Sequence, residues 1–450
     1  MAEVLSSNGM NHGVPPPPSG SVRPDSFAAQ QDIKASVHRE LIKRIDLEKL
    51  GQMQQSKGAS EELFKVIQQL ISEHETPLSS FERFQLAGQV LDEVFGLGPL
   101  EPLLQDHTIN DILVNGCNQV YVERRGRLEK STVVFKDDRH LMHIIDKIVS
   151  SVGRRIDESS PMVDARLADG SRVNVIIPPL AIDGPSMSIR KFGSKPLQAA
   201  DLLANKALTQ PMLDVLCGAV KSRMNIIISG GTGAGKTTLL NMLSSFIPED
   251  ERVVTIEDSA ELQLKQEHVV RLETRPPNVE GKGAIRQREL VINALRMRPD
   301  RIILGEIRGG EALDMLQAMN TGHDGSVTTV HANTPRDAMS RIQMMSMMGD
   351  LGVSEKAIRS QIASAIDLVI QVARMSDGTR RITHITELTG TQGEVISMQD
   401  IFVFEKQGLG AEGKVKGRFR ATGIVPKCAE RFKESGIPLP PGLLDHEMAV

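Results

Sequence analysis

In the first hundred positions apolar residues recur every three or four places. Ile33, Val37, Leu41 and Ile45 form one stripe, and Leu63, Val66, Ile67 and Leu70 form a second that follows Ser60 as N-cap. A third, Phe81, Phe84, Ala87, Val90 and Val94, opens at Ser79 with Glu82 three residues on, the spacing of a capping box. It stops at Gly96 and Gly98-Pro99. The pattern predicts a small helical bundle over 32–98. Ahead of it, 1–31 is low-complexity and carries the run Pro15 to Pro18; it has too little apolar area to offset chain entropy and is expected to be a disordered leader.

After Pro99 the period shortens. Ile109 to Val114, Gln119 to Val122, Val163 to Leu167, Arg172 to Ile177 and Met187 to Arg190 are short β-like runs broken by Gly, Asn and Asp turns. One helix, Asp137 to Val152, lies among them, so 99–192 is expected to be a separate α+β domain. Arg124, Arg125 and Arg127 surround a glycine turn and are expected at an exposed hairpin tip. Gly193-Ser194-Lys195-Pro196 opens a linker, 193–206. From 207 to 450 apolar strands alternate with helices: Asn225 to Ser229, Val253 to Glu257, Arg301 to Ile307, Ser326 to His331, and a pair, Asp367 to Ala373 and Arg381 to Glu387, across Asp377-Gly378. Such alternation predicts a doubly wound α/β sheet. Thr334, Pro335 and Asp337 mark a helix start. The Met344-Met345-Ser346-Met347-Met348 stretch is expected to pack in a helical core, with a soft partner-binding surface as the alternative.

Composition narrows the classes. At 450 residues the chain exceeds one ordinary core, and a net charge of −4 without a basic stripe means that no nucleic acid is required. Cys117, Cys217 and Cys428 lie far apart, which excludes a sequence-local zinc ribbon and a disulfide framework and fits a reducing cytosol. No stretch approaches the ~18 to 20 apolar residues of a spanning helix, and no secretory signal pattern opens the chain. Work at a membrane would be peripheral.

The chemistry centres on Gly230-Gly231-Thr232-Gly233-Ala234-Gly235-Lys236-Thr237, with Thr238 in the same cradle. An apolar strand leads into a glycine-rich turn, and a helix with Leu239, Leu240, Leu243 and Phe246 on one face follows. Backbone N–H groups and the helix N-terminus can hold phosphate, Lys236 supplies the β/γ-phosphate cation and Thr237 a Mg²⁺ ligand, so ATP and Mg²⁺ are the expected cofactors. Two more strands end in acids, one at Glu257-Asp258 and one at Glu306, and strand ends of a parallel sheet converge on one crevice. Gly305 stands where many phosphate-loop ATPases carry aspartate, which moves the metal carboxylate role towards Glu257 or Asp258. Glu306 and Glu257 share metal-water coordination and water activation, the two roles undivided between them. His331, ending the strand after that of Glu306, is a candidate for the γ-phosphate, with His323 assigned beside it; the alternative for each is a structural histidine. An arginine contributed to the transition state can supply roughly 10³ to 10⁵ in rate, and Arg154, Arg155, Arg166, Arg172 and Arg190 cluster in the middle domain.

Together these segments resemble the ATPases of type II and type IV secretion systems and type IV pili. The phosphate loop, Thr255-Ile256-Glu257-Asp258, Gly305-Glu306, and Thr321-Gly322-His323 to His331-Ala332-Asn333 occur in that family's order. The resemblance is closest to the tight-adherence pilus ATPases of the CpaF type, on Asp164 to Asn174, Ser188 to Phe192, Leu295 to Arg301 and Thr422 to Pro426. It implies a PAS-like middle domain, a RecA-like ATPase domain, a homohexameric ring, and arginines contributed to the nucleotide cleft, in trans from a neighbour in one arrangement. It also implies a cytoplasmic protein docked peripherally on inner-membrane platform proteins, hydrolysing ATP to assemble a pilus, with retraction as a further output. The lack of a four-cysteine zinc motif argues against ordinary type IV pilus and type II branches. A conjugation-type secretion ATPase is the runner-up, and a nucleotide-gated switch with negligible turnover is the alternative from another class.

Overall fold

A computed structural model describes residues 33, 34, 36, 37, 40, 41, 57–74, 78–124, 126–193, 196–278, 281–349, 352–410 and 413–449, and for 57–62 the backbone alone. The expected leader 1–31, Ile45, the side chain of Ser60, Arg125 and linker residues 194 and 195 lie outside it. Helical positions Ile33, Val37 and Leu41 bury against α1 (Lys57–Ser72) and α2 (Ser80–Phe95), closing a small core with Leu63, Ile67, Leu70, Leu86 and Val90. Ser79 caps α2, and Glu82 returns the bond to the Ser79 N–H, which is the capping box. Three details differ from expectation, the first being Val66, which is exposed although it belongs to the expected stripe. α1 starts at Lys57, so Ser60 lies inside it. Phe81 and Phe84 are exposed, because the face that α2 buries is that of Leu86, Ala87 and Val90, and Phe84 instead packs edge-on against Phe64 with centroids 5.2 Å apart.

After α3 (Glu101–Gln105) come β1 (Ile109–Asn115), β2 (Val120–Arg124), β3 (Arg127–Lys130), α4 (Asp138–Ser151), β4 (Met162–Arg166), β5 (Arg172–Ile176) and β6 (Ser186–Arg190). The strands form an antiparallel sheet in the order β3-β2-β1-β6-β5-β4. Alternate residues such as Val173, Val175, Met187 and Ile189 point at Leu141, Ile144, Ile145 and Ile148 of α4, so one helix covers one face. The β2–β3 tip is exposed only in part: Arg127 is exposed as expected and Arg124 half-buried, whereas Gly126 is buried and its carbonyl accepts from Arg374. Opposite charges draw it in, since Glu123 faces Arg374 and Arg380.

The rest of the chain runs α5 (Ala199–Ala204), α6 (Gln210–Lys221), β7 (Ile226–Gly230), α7 (Lys236–Ser244), β8 (Val253–Glu257), β9 (Val269–Glu273), α8 (Gln287–Ala294), β10 (Arg301–Leu304), α9 (Glu311–Asn320), β11 (Val327–Val330), α10 (Pro335–Met347), α11 (Glu355–Ala365), β12 (Leu368–Arg374), β13 (Arg380–Gln392), β14 (Val395–Leu409), β15 (Val415–Ala421), α12 (Cys428–Glu434) and β16 (Glu447–Ala449). Its sheet has the order β16-β15-β14-β13-β12-β7-β11-β10-β8-β9. From β12 to β9 the pairs are parallel, and from β12 to β16 antiparallel. Mixed α/β architecture follows from two cores. Ile226, Ile228, Ile303 and Ile370 face α6 and α7, whereas Ile227, Ile302, Leu304 and Val369 face α9, α10 and α11. Strands sandwiched in this way are apolar at every position, which is why they read as unbroken runs.

Thr334 caps α10 by accepting from the Asp337 N–H at 3.1 Å. The methionine stretch departs from expectation. Ala338, Met339, Ile342 and Met345 take the inner face of α10, which leaves Met344, Met347 and Met348 exposed on the other. Among the described residues no helix is long and apolar enough to cross a membrane.

Candidate functional site

β7 is buried along its whole length between β11 and β12, and its last residue sets the loop's shape. A Cβ on Gly230 would stand 2.5 Å from the Val372 carbonyl of β12, so the two backbones approach this closely only because position 230 has no side chain. At the far end Gly235, with φ of 101°, turns the chain into α7. The residues between them leave the first N–H groups of α7 facing the crevice above the sheet.

Lys236 starts α7 and folds back over the loop. Its Nζ donates to the carbonyls of Gly230 at 3.1 Å and Gly231 at 3.3 Å, and lies 3.2 Å from His331 Nε2. Burial holds its pKa below the ordinary lysine value, with Glu306, 3.9 Å away, opposing that shift. His331 Nε2 is 2.9 Å from Glu306 Oε1. An unprotonated Nε2 accepts from Lys236, and a protonated one donates to Glu306. Burial lowers the His331 pKa, Glu306 again opposing. Arg308 then joins Glu306 to Asp258, with Nε 2.7 Å from Glu306 Oε2 and Nη1 3.2 Å from Asp258 Oδ2. Four strand ends, those of β7, β8, β10 and β11, thus bring Lys236, Glu257-Asp258, Glu306 and His331 to one crevice. Arg308 carries the same signal as Glu306, a charged residue leaving a buried strand, and sequence reasoning passed over it.

Glu257 is held differently. Its Oε2 accepts from the N–H groups of Glu261 at 2.7 Å and Leu262 at 2.9 Å, whereas Oε1 is buried without a hydrogen-bond partner among the described residues. Gly305 makes room for it, because a Cβ there would lie 3.2 Å from Glu257 Cγ. Burial, the larger effect, lifts the carboxyl to about 7 against the two backbone bonds. A folded pKa above the unfolded value means that the folded chain keeps a proton the unfolded chain has lost, so stability falls as pH rises from about 4.5 to about 7. The full cost above that window is on the order of 3 kcal/mol. In metal-free, nucleotide-free buffer, Glu257→Gln should therefore gain Tm relative to the parent as pH is raised across this range. A constant difference would mean that Glu257 titrates normally.

The remaining candidates fall into three places. Arg190 donates to Asp111 at 3.1 Å, and its charge interacts with Glu261, Glu123 and Lys236, which puts it at the mouth of the loop. Arg166 crosses between the sheets, donating to Glu273 at 2.9 Å and Ser259 at 2.8 Å. With Arg172, which pairs with Asp164 at 3.7 Å, it lines a cleft of about 950 Å³ that reaches Asp258 and Arg308. Arg155 is not brought to the site: it is exposed and pairs with its neighbour Asp157. Nor is His323. Val327 pairs with Ile226 at the start of the parallel ladder, so the turn holding His323 sits at the opposite end of the sheet from the loop, separated by roughly 13 Å of strand. There Ser326 Oγ donates to the His323 carbonyl, and Asn225 Oδ1 accepts from the N–H groups of Gly325 and Ser326.

Among the described residues no group of three or more His, Cys, Asp and Glu side chains forms a metal cage. The donors at the loop nevertheless suit Mg²⁺ shared with phosphate: they are oxygens, and the orphaned Oε1 of Glu257 is an acceptor in want of a partner.

The family model of type II/IV secretion system proteins matches residues 93–427. The chain belongs to that family. This secretion-system protein is an ATPase, with the phosphate loop and the acidic strand ends inside the matched region. It is 38% identical over 309 residues to a Mycobacterium tuberculosis protein provisionally named for conjugal transfer, across 67% of this chain and 87% of the relative. The type IV secretion system protein PtlH of Bordetella pertussis is 35% identical across 64% of this chain and 92% of its own length. Among solved structures, the VirB11 ATPase of Brucella suis in complex with sulphate is 30% identical, covering 65% of this chain and 94% of that one at a TM-score of 0.36.

Proposed function

We propose that this secretion-family ATPase works as a homohexameric ring that hydrolyses ATP to assemble, and also retract, a tight-adherence pilus, docked on platform proteins at the cytoplasmic face of the inner membrane. The convergence of Lys236, Glu306 and His331 on one phosphate loop carries the hydrolytic part. The pilus assignment draws support from the helical core ahead of the matched region and from the segments Asp164 to Asn174 and Thr422 to Pro426. In this proposal 32–98 is a helical bundle, 99–192 a PAS-like domain, 193–206 a linker and 207–450 a RecA-like domain.

Gly230 to Thr238 cradle the triphosphate and Lys236 takes the β/γ-phosphate oxygens. Thr237, Glu257 and Glu306 hold a Mg²⁺ and its water shell, the metal supplying charge neutralisation on the phosphates. Glu306 orients the attacking water, with His331 relaying its proton. Asp258 positions Glu306 through Arg308, and Arg190 neutralises charge on the phosphates. Arg166 and Arg172 close the cleft; Arg155 and His323, remote within one subunit, are left to contacts between neighbours.

Arg190 lies near Lys236 of its own chain, which favours supply in cis. Arg190→Ala should bind nucleotide yet turn it over poorly, and mixing it with Lys236→Ala protein should recover nothing. Recovered phosphate release in the mixture would put the arginine in trans. Relatives named for conjugal transfer favour a second reading, a conjugation-type secretion ATPase. Deleting the gene and scoring surface pili and plasmid transfer in parallel separates the two. Steady-state phosphate release at background level would leave only a nucleotide-gated switch.

A further inference from the structure

The β2–β3 hairpin of the first sheet ends on two arginines, Arg374 and Arg380, that border the phosphate loop of the second. Glu123, near its tip, lies 3.8 Å from Arg374 Nη1 and 3.9 Å from Arg380 Nη2, and the Gly126 carbonyl accepts from Arg374 Nη2. These two arginines flank the turn between β12 and β13 and reach over the loop. Arg380 Nε donates to the Gly233 carbonyl at 2.9 Å, and its Cδ stands 3.4 Å from where a Cβ on Gly235 would be. Arg374 Nη1 lies 3.6 Å from the same point on Gly233.

Both guanidiniums keep donors in reserve. Arg380 uses Nε on the loop and Arg374 uses one Nη2 hydrogen on Gly126, which leaves four N–H groups on each for an anion. Glu123 is the acid paired with both among the described residues, and at these distances it answers their charge without a hydrogen bond. The Glu123 side chain is 16% exposed, so the pairing is weakly screened. A nucleoside triphosphate entering the loop brings several negative charges to the atoms that Glu123 now neutralises.

We propose that Arg374 and Arg380 contact the phosphates of bound nucleotide from the loop's outer side, and that Glu123 competes with the nucleotide for them. This rests on the ATPase reading and adds two binding residues from an element outside the acidic strand ends. Because Glu123 and Gly126 belong to the first sheet, nucleotide entry weakens the contact between the two sheets, and nucleotide release restores it.

The test is equilibrium binding of a fluorescent ATP analogue and of ADP to the full chain, with inorganic phosphate as a separate competitor. Glu123→Gln should bind triphosphate on the order of threefold tighter, and the gain should shrink with salt. Arg374→Gln and Arg380→Gln should each bind more weakly, and with both in place Glu123→Gln should have no further effect. Weaker or unchanged binding by folded Glu123→Gln would overturn the proposal, because a purely structural contact gives that sign. Phosphate should displace the analogue from the double arginine variant only at higher concentration than from the parent, because the loop and Lys236 still hold phosphate; equal displacement of both refutes contact by the two arginines. If Lys236→Ala binds nucleotide as the parent does, the site assignment itself fails and the proposal falls with it.

Discussion

Lys236→Ala protein should fold and assemble as the parent does while its ATP hydrolysis falls by roughly 10²- to 10³-fold or more. Among the described residues the ammonium is bound by two loop carbonyls and His331, with Glu306 nearby. Those partners are strained company for a desolvated cation, whose pKa burial already depresses. Removing it relieves a buried charge and opens no large apolar cavity, so Tm should move little. Hydrolysis is another matter: Lys236 is the cation bonded to the Gly230 and Gly231 carbonyls, whereas Arg380 meets the loop at Gly233 and does not take its place. Thermal denaturation beside steady-state phosphate release checks both halves. Turnover close to the parent's would mean that phosphate sits elsewhere.

Glu306→Gln should separate binding from chemistry. The amide keeps the carboxylate's shape and can still accept from Arg308, but it cannot hold a proton passed from water or balance the His331 imidazolium. We expect kcat to drop about 10²- to 10⁴-fold. Affinity should hold or improve, since a negative charge 3.9 Å from Lys236 disappears and the incoming ligand is itself an anion. Measuring Kd for ATP alongside single-turnover hydrolysis reads the two effects separately. A variant that loses binding and turnover in proportion would place Glu306 in the framework of the loop and outside the reaction.

The loop and its neighbouring strands were legible because each is a run of apolar residues ending in glycine or charge. β8, at Val253–Glu257, has the bounds that its sequence suggests, for all five residues are buried. β9 was missed: its residues are half exposed at the sheet edge, so Val269–Glu273 has no unbroken apolar signature. β14 and β15 were missed for a related reason, since β14 mixes buried and exposed positions over 15 residues and bulges against both neighbours. The meeting of Glu123 with Arg380 was out of reach altogether. Residue type announces a charge, but the partner is chosen by how two sheets sit together, 257 positions apart in the chain. His323 and His331 show the same limit from the other side: they are near in sequence and look alike, yet a parallel strand carries one to the loop and leaves the other behind it.

The ten-stranded sheet also has a mechanical side. β12 is laddered to the loop strand β7 on one edge and to β13 on the other, and β13 pairs with β14 over most of its length. Ladder bonds lie nearly perpendicular to their strands, so a tug along β13 or β14 loads many of them at once, in shear, and they share it. β16 offers no such grip, with three paired residues at the rim that would peel one after another. A displacement begun at Gly230 thus has a stiff route outward as far as β14 and β15, and any load-bearing partner would find firm purchase on that long hairpin and almost none on the strand beyond it.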